Sequence, residues 1–279
     1  MQVDHDEAYF ASYARMSVHE QFLKDKTRNY AYIHAISHHV KLIRDKVVLD
    51  VGCCTGILSI LCALTGAKRM YAVEAAHDIA HATTKAVEDK NLSDIITNML
   101  ASVITARDRW LNPGGLMLPS KATLYMAPFT TTQRYKESID CRNRVYGINM
   151  SAFKPLAIQC AFLEPCVETI TPENLLAKQQ VVKCVNCDSV TIPELRSVTE
   201  SFKFNSTVKA PLRGFAFWFD VEFGPSAIPR LFLASSSSYS VDDHPTTIYC
   251  FNPIELEQDQ LIEGRVTLTQ NQASEFLSP

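Results

Sequence analysis

Val47-Val48-Leu49-Asp50-Val51-Gly52-Cys53-Cys54-Thr55-Gly56-Ile57-Leu58 reads as a buried strand, a tight turn of small residues and the start of a helix. The apolar run Val47 to Val51 suits a strand covered on both faces, and Ile57 to Leu64 continues in an apolar helical pattern. Working outward, Arg69 to Val73 is a second strand ending on Glu74, about twenty residues past the turn, where a carboxylate can accept both hydroxyls of a ribose. Strand, turn, helix, strand and acid together open a nucleotide-binding βαβ unit. Asp50, Gly52, Cys54, Thr55, Gly56 and Glu74 are its candidate cofactor contacts.

Bulk properties narrow the function classes. The chain has 279 residues, 47% hydrophobic and 20% charged, enough for one large domain or two moderate ones with real cores. A net charge of −3 argues against broad affinity for nucleic acid or membranes. No stretch reaches the ~18 uncharged apolar residues of a membrane helix, and the polar N-terminus does not read as a secretory signal. Nine cysteines without framework spacing fit reduced thiols, so a cytoplasmic protein is expected, with the nucleus also open. Cys184-Val185-Asn186-Cys187 is a lone CxxC inside an alternating pattern, with no second pair or nearby histidine to complete a metal site. Cys53 and Cys54 read as small buried residues, and His34, His38 and His39 as surface or capping groups on a helix.

Residues 1–45 read as a helical lid, with Tyr9, Phe10 and Tyr13 on one face, followed by Val18, Phe22, Tyr30, Ile33 and Ile36. His19, Lys24 and Arg28 just precede the nucleotide-binding strand, where a basic group can meet a cofactor carboxylate. Residues 46–120 form the Rossmann-like half, with a second helix from Asp78 to Lys90. Ser93 to Ile96 begins like a third strand, yet the text passes at once to an amphipathic helix from Asn98 to Leu111. Further parallel strands would each need a crossover of a dozen or more residues. Either the sheet is reduced, or residues are missing near 96–98.

In residues 121–279 the period changes to that of an antiparallel, barrel-like β domain. Strands are expected at Ala122–Pro128, Ala157–Leu163, Gln180–Val185, Ser201–Val208, Gly214–Phe223 and Thr246–Phe251. Residues 130–153 are a polar, helix-leaning insertion bearing Arg134, Tyr135, Arg142, Arg144 and Tyr146, either an exposed excursion or an interaction arm. Ser235 to Ser238 reads as a short loop.

Over nearly its whole length the chain resembles the type I protein arginine methyltransferases. The matching words include Tyr9-Phe10-x-x-Tyr13, His19-Glu20, Leu23-Lys24-Asp25, Arg28, Val47 to Gly56, Glu74, Met99-Leu100, Ala106 to Leu111, Pro113-Gly114-Gly115, Ala122 to Tyr125 and Val145-Tyr146-Gly147. The resemblance implies that Tyr9 and Tyr13 belong to a helix closing over S-adenosylmethionine, and that His19 lines the cofactor pocket. It further implies that Arg28 pairs with the methionine carboxylate, that Glu74 holds the ribose, and that residues 130–153 are an arm gripping a second subunit.

The departures from that pattern carry their own implication. The reaction is an SN2 methyl transfer to a guanidinium nitrogen, a poor nucleophile that must be positioned and polarised. In the family two glutamates on a loop after the fourth strand do this; here their place falls at Ile96 to Asn98. Cys54 stands where the family carries glycine, Phe22 where it carries a methionine of the product pocket, and Asp242-Asp243-His244 where a Thr-His-Trp loop is expected. The resemblance therefore implies a catalytically inactive regulatory subunit, a prozyme of the trypanosomatid type. Such a subunit pairs with an active paralogue, binds S-adenosylmethionine poorly or not at all, and has no activity alone. Two other readings stay open: an active type I enzyme whose loop is absent from this sequence, and a binding module unconnected with methylation.

Overall fold

The computed structural model describes residues 16–74, 76–92, 96–99, 103–131, 146–162, 165–224 and 245–269. Three helices come first: α1 Met16–Lys24, α2 Lys26–His38 and α3 Val40–Ile43. Asp25 separates α1 from α2, its side chain accepting the Arg28 N–H at 2.8 Å as an N-cap. Asn29 Nδ2 donates to the carbonyls of Phe22 and Leu23, both at 3.0 Å, which gives the open end of α1 two of the donors it lacks.

There follow β1 Val47–Val51, α4 Ile57–Leu64, β2 Arg69–Val73, α5 His77–Asp89, β3 Ile96–Met99 and α6 Val103–Trp110. The strands form a parallel sheet in the order β1-β2-β3. Val47 lies opposite Arg69 and Val51 opposite Val73, while Met70 lies opposite Ile96 and Val73 opposite Met99. Asn98 and Met99, expected as the start of a helix, instead belong to β3, and the helix begins at Val103. Backbone pairing with Ala72 and Val73 overrides the local apolar spacing there.

β2 is the middle strand, with Met70 and Ala72 fully buried in a core that includes Ile36, Cys62, Ala63 and Val87. The residues of β1 are half-buried or exposed, Val47 to 62%, and among the described residues no strand pairs with it on the side away from β2. In a doubly wound sheet the crossover after the third strand returns the chain to that side of the first, and the two strands together wall the binding crevice. Here α6 runs on to the next half instead.

That half contains β4 Lys121–Phe129, α7 Lys154–Phe162, β5 Cys166–Val167, β6 Gln180–Asn186, α8 Ile192–Arg196, β7 Ser197–Asn205, β8 Ala210–Glu222, β9 Thr246–Leu256 and β10 Leu261–Thr269. One sheet has the order β5-β9-β8-β4-β6, and a second pairs β10 with β7. The arrangement is barrel-like, but the sheets do not close into one barrel among the described residues. Met126, Leu176, Phe204, Phe217 and Ile262 fill the space between them, while Phe129, Trp218 and Tyr249 form a second core on the opposite face of β4 and β8. At Gly214 an added Cβ would lie 2.2 Å from the Ile248 carbonyl oxygen, so the close approach of β8 to β9 requires glycine.

Of Ala157–Leu163, expected as a strand, Ala157 to Phe162 fall in the helix α7, and Leu163 lies outside the described residues. The short apolar run carries alanines and a single β-branched residue, and Ala157 and Ile158 pack into the Phe129–Trp218 core from helical spacing. The other expected strands are present, several of them longer than their sequence pattern suggested, and β10 was not anticipated.

The two halves meet along α2. Ala31 and Ala35 bury against Val221 and Phe223 at the end of β8, with Tyr32, Leu118 and Ala122 around them. Arg107 of α6 adds a hydrogen bond to the Cys187 carbonyl at 2.9 Å. No helix among the described residues is long and apolar enough to cross a membrane.

Candidate cofactor site

The turn after β1 is closed onto β2. The N–H groups of Gly52 and Cys53 donate to the Val73 carbonyl at 2.7 and 2.8 Å. Gly56 has φ +74°, and an added Cβ would meet Thr83 Cγ2 at 2.5 Å, so α5 packs on the turn where no side chain fits. Thr83 Oγ1 also donates to the Cys54 carbonyl at 2.6 Å. Cys54 itself adopts φ +50°, a left-handed conformation that glycine takes freely and that costs a residue with a Cβ about 1–2 kcal/mol.

Glu74 is buried at the end of β2, one carboxylate oxygen accepting the Cys54 N–H and the other the Ala76 N–H, each at 2.9 Å. Each oxygen keeps a further lone pair for a ribose hydroxyl. Asp50 accepts the Ser59 hydroxyl at 2.7 Å; burial pushes its carboxyl above the ordinary value, and the Ser59 bond and the charge of Arg28 work against that rise. Burial, reinforced by the Glu74 charge, pushes the Cys54 thiol up to about 11, and burial drives Cys53 higher still. Both thiols are neutral near pH 7, so neither is a ready nucleophile.

His19 is fully buried on α1. Arg28 on α2 lies between two rings, its guanidinium carbon 5.2 Å from the centroid of Phe22 and 5.3 Å from that of Tyr32. It forms no ion pair with a carboxylate among the described residues, and its charge is felt at both Asp50 and Cys54. The site thus brings Asp50, Gly52, Cys54, Gly56 and Glu74 together with Arg28 across from them, while Thr55 sits half-buried in the turn. A buried carboxylate at the end of β2 and a guanidinium facing the turn are the chemistry that a nucleoside amino acid would require. The misfit is the side chain of Cys54.

Tyr9 and Tyr13 lie outside the described residues, as do Arg134, Tyr135, Arg142, Arg144 and the Asp242–His244 segment. Tyr146 is described: it has φ +50° and is 99% exposed, with Ile148 and Phe153 also exposed nearby in sequence. Sequence reasoning missed Thr83, Ser59, Asn29 and Tyr32. Tyr32 had a usable signal, one helical turn after Arg28. His34 and His38 are exposed, with nearly parallel rings 6.4 Å apart, and no group of three metal-ligating side chains exists among the described residues.

A glycine turn and ribose-spaced acid on a parallel sheet, lidded by helices and joined to an antiparallel β half, define a Rossmann-like methyltransferase with an appended β domain. Residues 120–276 match the family described as the arginine methyltransferase oligomerization subdomain, and residues 32–110 match that of the ribosomal protein L11 methyltransferase. The chain is 46% identical to a probable protein arginine N-methyltransferase 6 of Arabidopsis thaliana, over 96% of this chain and 76% of the relative. Among solved structures it is similar to a Trypanosoma brucei PRMT1 enzyme–prozyme heterotetrameric complex with AdoHcy, at TM-score 0.77 and 26% identity, over 91% of this chain and 88% of the other. It is also similar to Arabidopsis thaliana protein arginine methyltransferase 10, at TM-score 0.74 and 25% identity, again over 91% and 88%.

The chain belongs to the protein arginine methyltransferase family, whose chemistry is S-adenosylmethionine-dependent methylation. Its alignment with the Arabidopsis relative runs over 332 positions, more than the 279 residues of the chain, so that relative carries segments with no counterpart here.

Proposed function

We propose that this chain is a non-catalytic subunit of an arginine methyltransferase, which docks on an active paralogue and activates or stabilises it. The observation that carries this reading is that, among the described residues, nothing pairs with β1 on the side away from β2, where the fold would place the next strand and the loop that follows it. The paired glutamates implied by the family resemblance belong to that loop. A guanidinium needs both to be held in line with the methyl donor and to have its charge localised, and positioning of this kind supplies much of the rate of such a transfer. The described residues offer no acid pair in that place.

S-adenosylmethionine, when bound, supplies the methyl group. In this chain Glu74 would hold its ribose and Arg28 its carboxylate, while the strained Cys54 weakens the grip of the turn between them. A subunit with a reduced substrate site and a largely intact β half can still contribute ordering contacts to a partner. Exposed Tyr146, Ile148 and Phe153 supply apolar contact area for such docking. The enzyme–prozyme assembly in the trypanosome structure supports the same division of labour. The pair would act in the cytosol or nucleus on protein substrates held by the active subunit.

The test is a methylation assay with arginine peptides. The isolated chain is expected to leave them unmodified, and an active paralogue is expected to turn over faster when mixed with it. Tyr146→Ala combined with Ile148→Asp should abolish that gain. Methylation by the isolated chain would overturn the proposal.

A further inference from the structure

The setting of Arg28 links the cofactor site to the β half. Its guanidinium lies over the ring of Phe22, whose backbone carbonyl accepts from Asn29, and Asn29 Oδ1 accepts from Arg28 at 3.3 Å. The guanidinium also lies over the ring of Tyr32, one helical turn along α2. The far edge of the Tyr32 ring meets Phe223 edge-to-face, with centroids 4.8 Å apart and planes at 71°. Phe223 is buried at the end of β8, so the contact belongs to the β half. Just beyond, Gly224 turns away with φ +92° where a Cβ would strike the His39 ring at 2.5 Å, and His39 Nδ1 lies 2.9 Å from the Ala35 carbonyl oxygen. α2 is therefore fixed to the end of β8 at two points, and Arg28 projects from the same helix toward the turn.

A guanidinium lying over two rings is held without a counter-charge, because the ring faces attract it while the N–H groups that Asn29 does not use remain for an anion. The orientation of those groups depends on Tyr32, and the orientation of Tyr32 on Phe223. We propose that Tyr32 is a positioning residue that carries the placement of the β half to Arg28, and through it sets the affinity for the amino-acid end of the cofactor. This rests on the cofactor assignment made above and adds a route by which docking on the β half regulates that site.

The measurement is calorimetric binding of two ligands to the full chain and to its Cys54→Gly form, which relieves the strained turn. S-adenosylhomocysteine carries the amino-acid carboxylate, and methylthioadenosine lacks it. Tyr32→Leu should weaken S-adenosylhomocysteine by roughly fivefold to tenfold and leave methylthioadenosine unchanged. Tyr32→Phe should restore the parent affinity. Phe223→Leu should weaken the same ligand less, and the double variant Tyr32→Leu/Phe223→Leu should be no weaker than Tyr32→Leu alone, since the two lie on one route.

Equal loss of both ligands in Tyr32→Leu would reveal a merely structural ring and overturn the inference. So would additive losses in the double variant, or failure of S-adenosylhomocysteine to bind either the parent or the Cys54→Gly form. That last result would leave the partner-subunit reading standing, since it is judged by the activity of the mixture.

Discussion

The two halves of this molecule are built to different standards. In the β half, β4 runs unbroken beside β8 from Lys121–Glu222 to Phe129–Gly214, and aromatic cores pack on both faces. In the nucleotide-binding half the described sheet has three short strands, the first paired on one side among the described residues, and the turn after it holds a strained cysteine. Among the described residues the β half is paired strand to strand through five positions of one sheet, whereas the outer side of β1 in the nucleotide-binding half has no paired strand.

The comparison can be broken in the β core first. Phe129 is fully buried and meets Tyr249 edge-to-face at 5.1 Å, so Phe129→Ala should cost about 3–5 kcal/mol in denaturant unfolding. A loss below about 1 kcal/mol would show that this core does not carry the fold. Hydrogen exchange then compares the halves directly: amides of β1 and β3 should exchange roughly 100-fold faster than those of β4 and β8. Equal protection would mean that the reduced sheet is as firm as the long one.

A smaller effect is expected at the turn. Cys54→Gly relieves the left-handed strain but adds chain entropy to the unfolded state, leaving a gain of about 0.5–1 kcal/mol in a melting experiment. Destabilisation by that variant would mean that Cys54 packs favourably enough to offset its backbone. The least effect concerns Asp50. Its folded carboxyl binds a proton at higher pH than the unfolded one, so between those two values the folded state holds more protons and stability falls as pH rises. Asp50→Asn should therefore be more stable than the parent at neutral pH, and its advantage should fade as the solution is acidified below the ordinary carboxyl range. An advantage independent of pH would assign the gain to packing instead.

Much of this was legible in the chain. Val47 to Leu58 specified strand, turn and helix because apolar period, small residues and acid spacing all agreed, and Glu74 fell where the spacing put it. The alternation in Phe215 to Phe223 likewise marked β8. Ala157 to Phe162 misled, since a short apolar run has the same content in a buried strand as in a helix, and the contact that decides lies in distant Phe129 and Trp218. β3 was recognised at its start but not its end, because pairing with β2 is a long-range fact. In the site, Cys54 was identifiable as a replaced glycine, but its φ of +50° and its bond to Glu74 are set by the fold. The Phe22–Arg28–Tyr32–Phe223 series joins residues just over two hundred positions apart, beyond the reach of any local pattern.

The open flank of Val47–Val51 has a practical consequence for handling the protein. Backbone donors and acceptors along an apolar strand margin, with Val47 at 62% exposure, form a seam to which other chains can adhere. Produced alone, the polypeptide should precipitate as its concentration rises.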